Sequence, residues 1–206
     1  METNVDTRTA HSTPETVSPL PEPPRTSTLG EILRFAIIAL IIVIPIRMFV
    51  AQPFIVSGAS MEPTFHNGQY LIVDQLSYYT GEPTRGDVII FKYPKDPSKY
   101  FIKRLIGVPG DTVSINGNVI TITNETNPEG FELNEPYVAH MSPNTTLTEV
   151  LGPSEYFVMG DNRDNSSDSR VWGILQENLI VGRAFLRLFP MDQVDYLPGS
   201  TETTSN

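Results

Sequence analysis

A chain of 206 residues, 39% hydrophobic and 18% charged, is long enough for one compact domain and too apolar for full disorder. Its formal charge is −10, and Leu105 to Asn162 holds eight acids and no Lys or Arg, which excludes nucleic-acid binding through phosphate contacts. With no Cys and three scattered His (His11, His66, His140), disulfide scaffolds, thiolate zinc sites, Cys nucleophiles and His-rich metal sites are excluded too, so no cofactor or metal is expected.

Residues 1–28 are dominated by Thr, Ser, Pro and Glu without apolar period, and are expected to be a disordered tail. Residues 29–50 contain the one strongly apolar run. Its charge-free core, Phe35 to Ile46, lies between Arg34 and Arg47. Twelve residues of helix cover about 18 Å; the nineteen from Ile32 to Val50 cover about 28 Å, close to a hydrocarbon core of about 30 Å if both Arg side chains reach the interfaces. No small-x-small cleavage site follows the run and no amphipathic helices flank it, so a single transmembrane anchor in contact with lipid is expected. Arg25 and Arg34 precede the core, and after Arg47 the next cation is Arg85, a bias toward a cytoplasmic N-terminus.

Beyond the anchor the pattern is short strands and turns, as expected with 18 Pro and 14 Gly. Strands are predicted at 70–76, 87–93, 100–108, 112–115, 119–123, 156–160 and 183–189. Asn116-Gly117 between alternating runs predicts a type I′ hairpin. Residues 124–153 are acidic and turn-rich and suit a peripheral insertion, spanning about 112–155 with its hairpin. Residues 191–206 are expected to be a solvated tail.

Three segments carry polar groups that a scaffold does not need. In Ser57-Gly-Ala-Ser60-Met-Glu-Pro63, a Ser in a turn beside a rigid Pro can present a nucleophilic hydroxyl and a backbone N–H for an oxyanion, although most such clusters are plain turns. In Tyr100-Phe-Ile-Lys103-Arg-Leu, Phe101, Lys103 and Leu105 share one strand face. A Lys there either pairs or reaches out to solvent, or is desolvated; burial lowers its pKa from about 10.4 and makes it a general base. In Gly160-Asp-Asn-Arg-Asp-Asn-Ser166-Ser-Asp168-Ser-Arg170-Val-Trp172, the polar run is either a solvated loop or, anchored by Trp172, a buried network able to orient the Lys. Together they suggest a Ser/Lys dyad.

SGASMEPT, RGDVIIFKYP, YFIKRLIGVPGD and GDNRDNSSDSRVWG, in this order and spacing, resemble the successive boxes of bacterial type I signal peptidases (leader peptidases), from about Leu29 to Pro190. The resemblance implies a mainly β fold of antiparallel sheets with a single N-terminal transmembrane helix, and residues 51–190 as a catalytic β domain on the extracytoplasmic side. It implies a membrane-anchored serine endopeptidase that removes signal peptides from exported preproteins. Ser60 would be the nucleophile and oxyanion donor, Lys103 the base, and Ser166 the hydroxyl bonded to the Lys amine. Arg104 and Asp161 would form a supporting ion pair, with Asp168 and Arg170 in the same scaffold. Some members place a second oxyanion Ser two residues before the nucleophile; Gly58 stands there, and Ser57 is one residue further away. The substrate would add as a strand beside Gln52–Val56 and Phe101–Lys103, with Val56, Phe101 and Ile102 as pocket walls. Ser60 lies ten residues past Val50, a reach of at most about 36 Å, so Phe54, Ile55, Val56, Met61 and Phe65 are candidates for membrane contact or for core. Two alternatives stay open: a Ser/Lys hydrolase of related fold, such as a self-cleaving repressor, and a silent peptide-binding β module. The sequence is mute on oligomeric state and does not distinguish plasma from internal photosynthetic membranes.

Overall fold

The computed structural model describes residues 28–45, 51–139 and 145–200. The expected tail over 1–28, apart from Thr28, therefore lies outside the described residues, as do the end of the anchor (46–50) and residues 201–206. The chain divides into two units at Leu40–Ile41. The helix α1 (Thr28–Pro45) begins with Glu31 in its first turn, a favourable charge for the helix dipole. Leu29, Phe35, Leu40 and Ile41 on it are all exposed. Eighteen residues cover about 27 Å, and among the described residues no helix is long and apolar enough to cross a membrane.

The second unit carries all the strands among the described residues. An antiparallel sheet runs β1 (Ala51–Ile55), β2 (Tyr70–Asp74), β11 (Ile180–Phe189), β3 (Val88–Tyr93), β4 (Asp96–Gly107), β9 (Glu155–Met159) and β10 (Leu175–Gln176), with β12 (Asp195–Tyr196) added on β11. A second sheet orders β7 (Phe131–Glu132), β6 (Val119–Thr123), β5 (Thr112–Asn116) and β8 (Thr146–Val150). The fold is thus mainly β and antiparallel, as expected.

Alternation along the strands builds the cores. Val88 and Ile90 of β3 join Val56, Met61, Phe65, Leu71 and Ile102 in one cluster, while Ile89 and Phe91 join Leu105, Tyr156 and Val158 in another. A third cluster lies where the small sheet meets β4 and β9, through Ile106, Val113, Ile122 and Phe157. Gly107 is required there: a Cβ would stand 2.5 Å from Val113 Cγ2 and 2.7 Å from Leu151 Cδ1.

Four expectations change. The hairpin turn is Gly117-Asn118, because Asn116 pairs with Val119; only Gly117 has positive φ (61°), the type II′ pattern. The acidic insertion is a sheet that shares a core with β4 and β9. Val56, Met61 and Phe65 are core, leaving Ile55 exposed and Phe54 half-buried as candidates for lipid contact. Residues 191–200 are no free tail: β12 pairs with β11, the Leu197 N–H donates to the Phe185 carbonyl, and Pro198 is buried. Strand β1 escaped prediction because Pro53 interrupts it; at the sheet edge a missing donor is tolerated, and Pro53 pairs with Ile72.

Candidate active site

The chain leaves β1 at Val56, whose N–H donates to the Gln69 carbonyl and whose carbonyl accepts from the Gly68 N–H, closing a loop. Gly58 takes φ of 90° in this loop, and its N–H donates to Asn67 Oδ1 at 3.0 Å. Met61 and Phe65, both fully buried, plug the loop into the core. The half-buried Ser60 is thereby held against the segment after β9. Its carbonyl accepts from the Asn162 N–H at 3.1 Å, and the Ala59 carbonyl accepts from Asn162 Nδ2 at 3.1 Å. The Ser60 N–H has no acceptor among the described residues, which leaves it free to meet a developing oxyanion.

Lys103 enters from the middle of β4, opposite Ile89. It is 4% exposed, and its Nζ lies 2.7 Å from Ser60 Oγ and 2.8 Å from the Ile102 carbonyl. Burial pulls the Lys103 ammonium from 10.5 down to about 8, against the opposing pull of the Asp168 and Asp161 carboxylates. A neutral amine has two N–H bonds and one lone pair. Donation to the Ile102 carbonyl uses one N–H and helps turn the lone pair toward Ser60.

Arg104, the next residue, is fully buried on the other strand face. Its Nε and Nη2 reach Asp161 Oδ1 and Oδ2 at 2.8 and 2.6 Å, and Nη1 donates to the Gly86 and Gly199 carbonyls. Thr64 Oγ1 donates to Asp161 Oδ2 at 2.6 Å, which ties the Ser60 loop to the same carboxylate. Asp168, also fully buried, accepts from Arg170 Nε and Nη2 at 2.8 Å and from the Gly160 N–H at 3.1 Å. Trp172 packs on Phe91 and Tyr93 and fixes the far end of the polar run.

Ser166 differs from the sequence reading. The expected hydrogen bond from its hydroxyl to the Lys103 amine is not formed; Ser166 Oγ is buried and has no partner among the described residues. The hydroxyl faces Gly160 instead, where a Cβ would stand 2.3 Å from Ser166 Oγ and 2.4 Å from the Ser60 carbonyl oxygen. Ser57 is exposed on the groove beside the nucleophile. That groove, about 490 Å³, is lined by Val56, Phe101 and Ile102 and also by Ser60 and Lys103. A second hollow of about 510 Å³, near Tyr78 and Glu177, touches none of the sequence-derived site residues. Sequence reasoning missed Thr64, Asn162 and Arg163. Asn162 and Arg163 sit inside the motif already singled out, but which of its polar groups turn inward is a tertiary property.

Residues 29–189 match the protein family described as signal peptidase, peptidase S26. The chain is 37% identical over 181 residues to a probable signal peptidase I-1 of Synechocystis sp., covering 84% of this chain and 88% of that one. It is also 37% identical over 180 residues to signal peptidase I P of Bacillus subtilis subsp. natto, covering 82% and 93%. The crystal structure of a signal peptidase I from Enterococcus faecalis is 32% identical, with a TM-score of 0.42, over 50% of this chain and 97% of that one.

Proposed function

The chain belongs to the signal peptidase family, peptidase S26, and is a serine peptidase that removes signal peptides; from that premise we propose that Ser60 and Lys103 carry out the reaction as a dyad. The observation that carries this reading is the 2.7 Å contact between Nζ of the buried Lys103 and Oγ of the half-buried Ser60. Neutral Lys103 takes the Ser60 proton as Oγ attacks the carbonyl carbon of the signal peptide's last residue. The negative charge developing on that carbonyl oxygen meets the Ser60 N–H. As the tetrahedral adduct collapses to an ester, the Lys103 ammonium returns its proton to the leaving amine of the mature protein. A water then gives a proton to the amine, attacks the ester and frees the signal peptide, with the proton passed back to Ser60 Oγ.

The substrate binds extended in the groove beside β1 and β4. Val56, Phe101 and Ile102 form its floor and walls, which leaves room for small side chains next to the cut bond. Arg104–Asp161 and Asp168–Arg170 hold the frame and do not touch the substrate. The exposed apolar side chains of α1, and the apolar sequence that continues to Val50, support a single-pass anchor in lipid, with the N-terminus cytoplasmic and the β unit on the extracytoplasmic side.

Cleavage of a defined preprotein by the full-length protein in detergent tests the dyad. Ser60→Ala and Lys103→Ala each abolish product while the β fold is kept. Normal processing by either variant refutes it.

A further inference from the structure

After β7 the insertion runs as a strap, Leu133 to Ala139, that covers two buried arginines of the site, Arg104 and Arg163. Tyr137 lies flat under Arg104, with the guanidinium carbon 3.8 Å from the ring centroid. Its hydroxyl donates to Glu135 Oε1 at 2.9 Å. Glu135 in turn forms a two-pronged ion pair with Arg163, Nη1 to Oε2 at 2.8 Å and Nη2 to Oε1, with side chains only 6% and 5% exposed. Nε of Arg163 donates to the Gly160 carbonyl at 3.1 Å.

Gly160 is the first of three residues that lean on the nucleophile. Gly160 is held through both of its backbone polar groups, its N–H by Asp168 and its carbonyl by Arg163. Asp161 holds Thr64, and Asn162 holds the carbonyls of Ala59 and Ser60. We infer that Glu135 and Tyr137 are positioning residues for the nucleophile: the acidic insertion neutralises Arg163 and stacks on Arg104, and through Gly160–Asn162 it sets where Ser60 stands relative to Lys103. The inference rests on the Ser/Lys reading above. It makes the insertion part of the catalytic apparatus and explains why a chain this acidic spends a buried carboxylate there. Neither residue touches the groove, and neither is among the charges that perturb Lys103. The expected signature is therefore geometric rather than titrational.

The test compares the full-length wild type with Glu135→Gln, Tyr137→Leu, Arg163→Gln and the Glu135→Gln/Arg163→Gln pair on one preprotein, with Ser60→Ala as the inactive control. Glu135→Gln keeps the shape and loses the charge. It lowers kcat at least tenfold with KM unchanged within twofold, and leaves the pH at half-maximal rate where it is in the wild type. Tyr137→Leu shows the same split. In the Arg163→Gln background, Glu135→Gln adds less than a twofold further loss, because its action runs through that arginine. Labelling of Ser60 by a small acylating reagent slows in parallel with kcat, independently of peptide binding. Unchanged kcat in a folded Glu135→Gln, a loss confined to KM, or multiplicative losses in the pair would each overturn the inference. A variant that melts below the assay temperature is measured below its midpoint, where the same split decides. If Ser60→Ala still cleaves, the dyad reading fails instead, so the two failures are distinct.

Discussion

Replacing Lys103 with Met separates catalysis from stability. The side chain stays unbranched, is one atom shorter, and loses its charge. In the folded protein burial brings the Lys103 pKa to about 8, while the unfolded chain holds it at 10.5. Between those values the unfolded state binds more protons, so the wild type gains stability as pH rises through this window. Below pH 8 the full penalty of keeping an ammonium buried applies, about 3 kcal/mol from that difference. Met removes the penalty. It also removes the bonds to Ser60 Oγ and the Ile102 carbonyl, at a net cost of about 1–2 kcal/mol. At pH 7 Lys103→Met is therefore inactive yet about 1–2 kcal/mol more stable, which raises the melting midpoint by about 2–8 °C. The advantage shrinks as pH rises above about 8 and reverses near about pH 9–10, where the remaining burial penalty falls below the worth of the lost bonds. Thermal unfolding of both proteins in one detergent from pH 6.5 to 10 measures this; other titrating groups cancel in the difference. A Met variant less stable than wild type at pH 6.5, or a difference independent of pH, refutes the desolvated amine.

The rate should follow the same group. With Lys103 needed neutral, kcat/KM falls about tenfold per pH unit below about 8, and a profile flat from pH 6 to 8 would rule out a neutral-amine base. Ser166→Ala deletes a buried hydroxyl that has no partner, so it leaves the melting midpoint unchanged or raises it; a fall of more than about 3 °C, or about 1 kcal/mol, would mean the hydroxyl is bonded after all. Ending the chain after Tyr196 removes the Gly199 carbonyl from Arg104 and the buried Pro198, with an expected loss of about 1.5–3 kcal/mol in denaturant unfolding. An unchanged midpoint would restore the reading of that segment as a free tail.

The chemistry was legible because the reaction needs particular residue types within short runs. A Ser in a Gly- and Pro-containing turn, a Lys inside an apolar strand and a dense polar run each break the pattern of their surroundings, and their order matches a known family. The apolar runs at β3 and β4 likewise announced strands, though not that both faces would be buried. Ser60 and Lys103 lie 43 positions apart, and only the closing of the sheets could bring Nζ to 2.7 Å from Oγ and strip the amine of water. The same holds for Ser166, whose hydroxyl turns to Gly160 rather than to the lysine, and for residues 191–200, which look solvated until Gly199 is seen to cap Arg104. Glu135 and Tyr137 are the extreme case. Nothing in their local sequence distinguishes them from a turn, because their partners are arginines from β4 and from the polar run. Residue type and local period are properties of the chain, whereas pKa, partner and cavity arise from burial among residues distant in sequence.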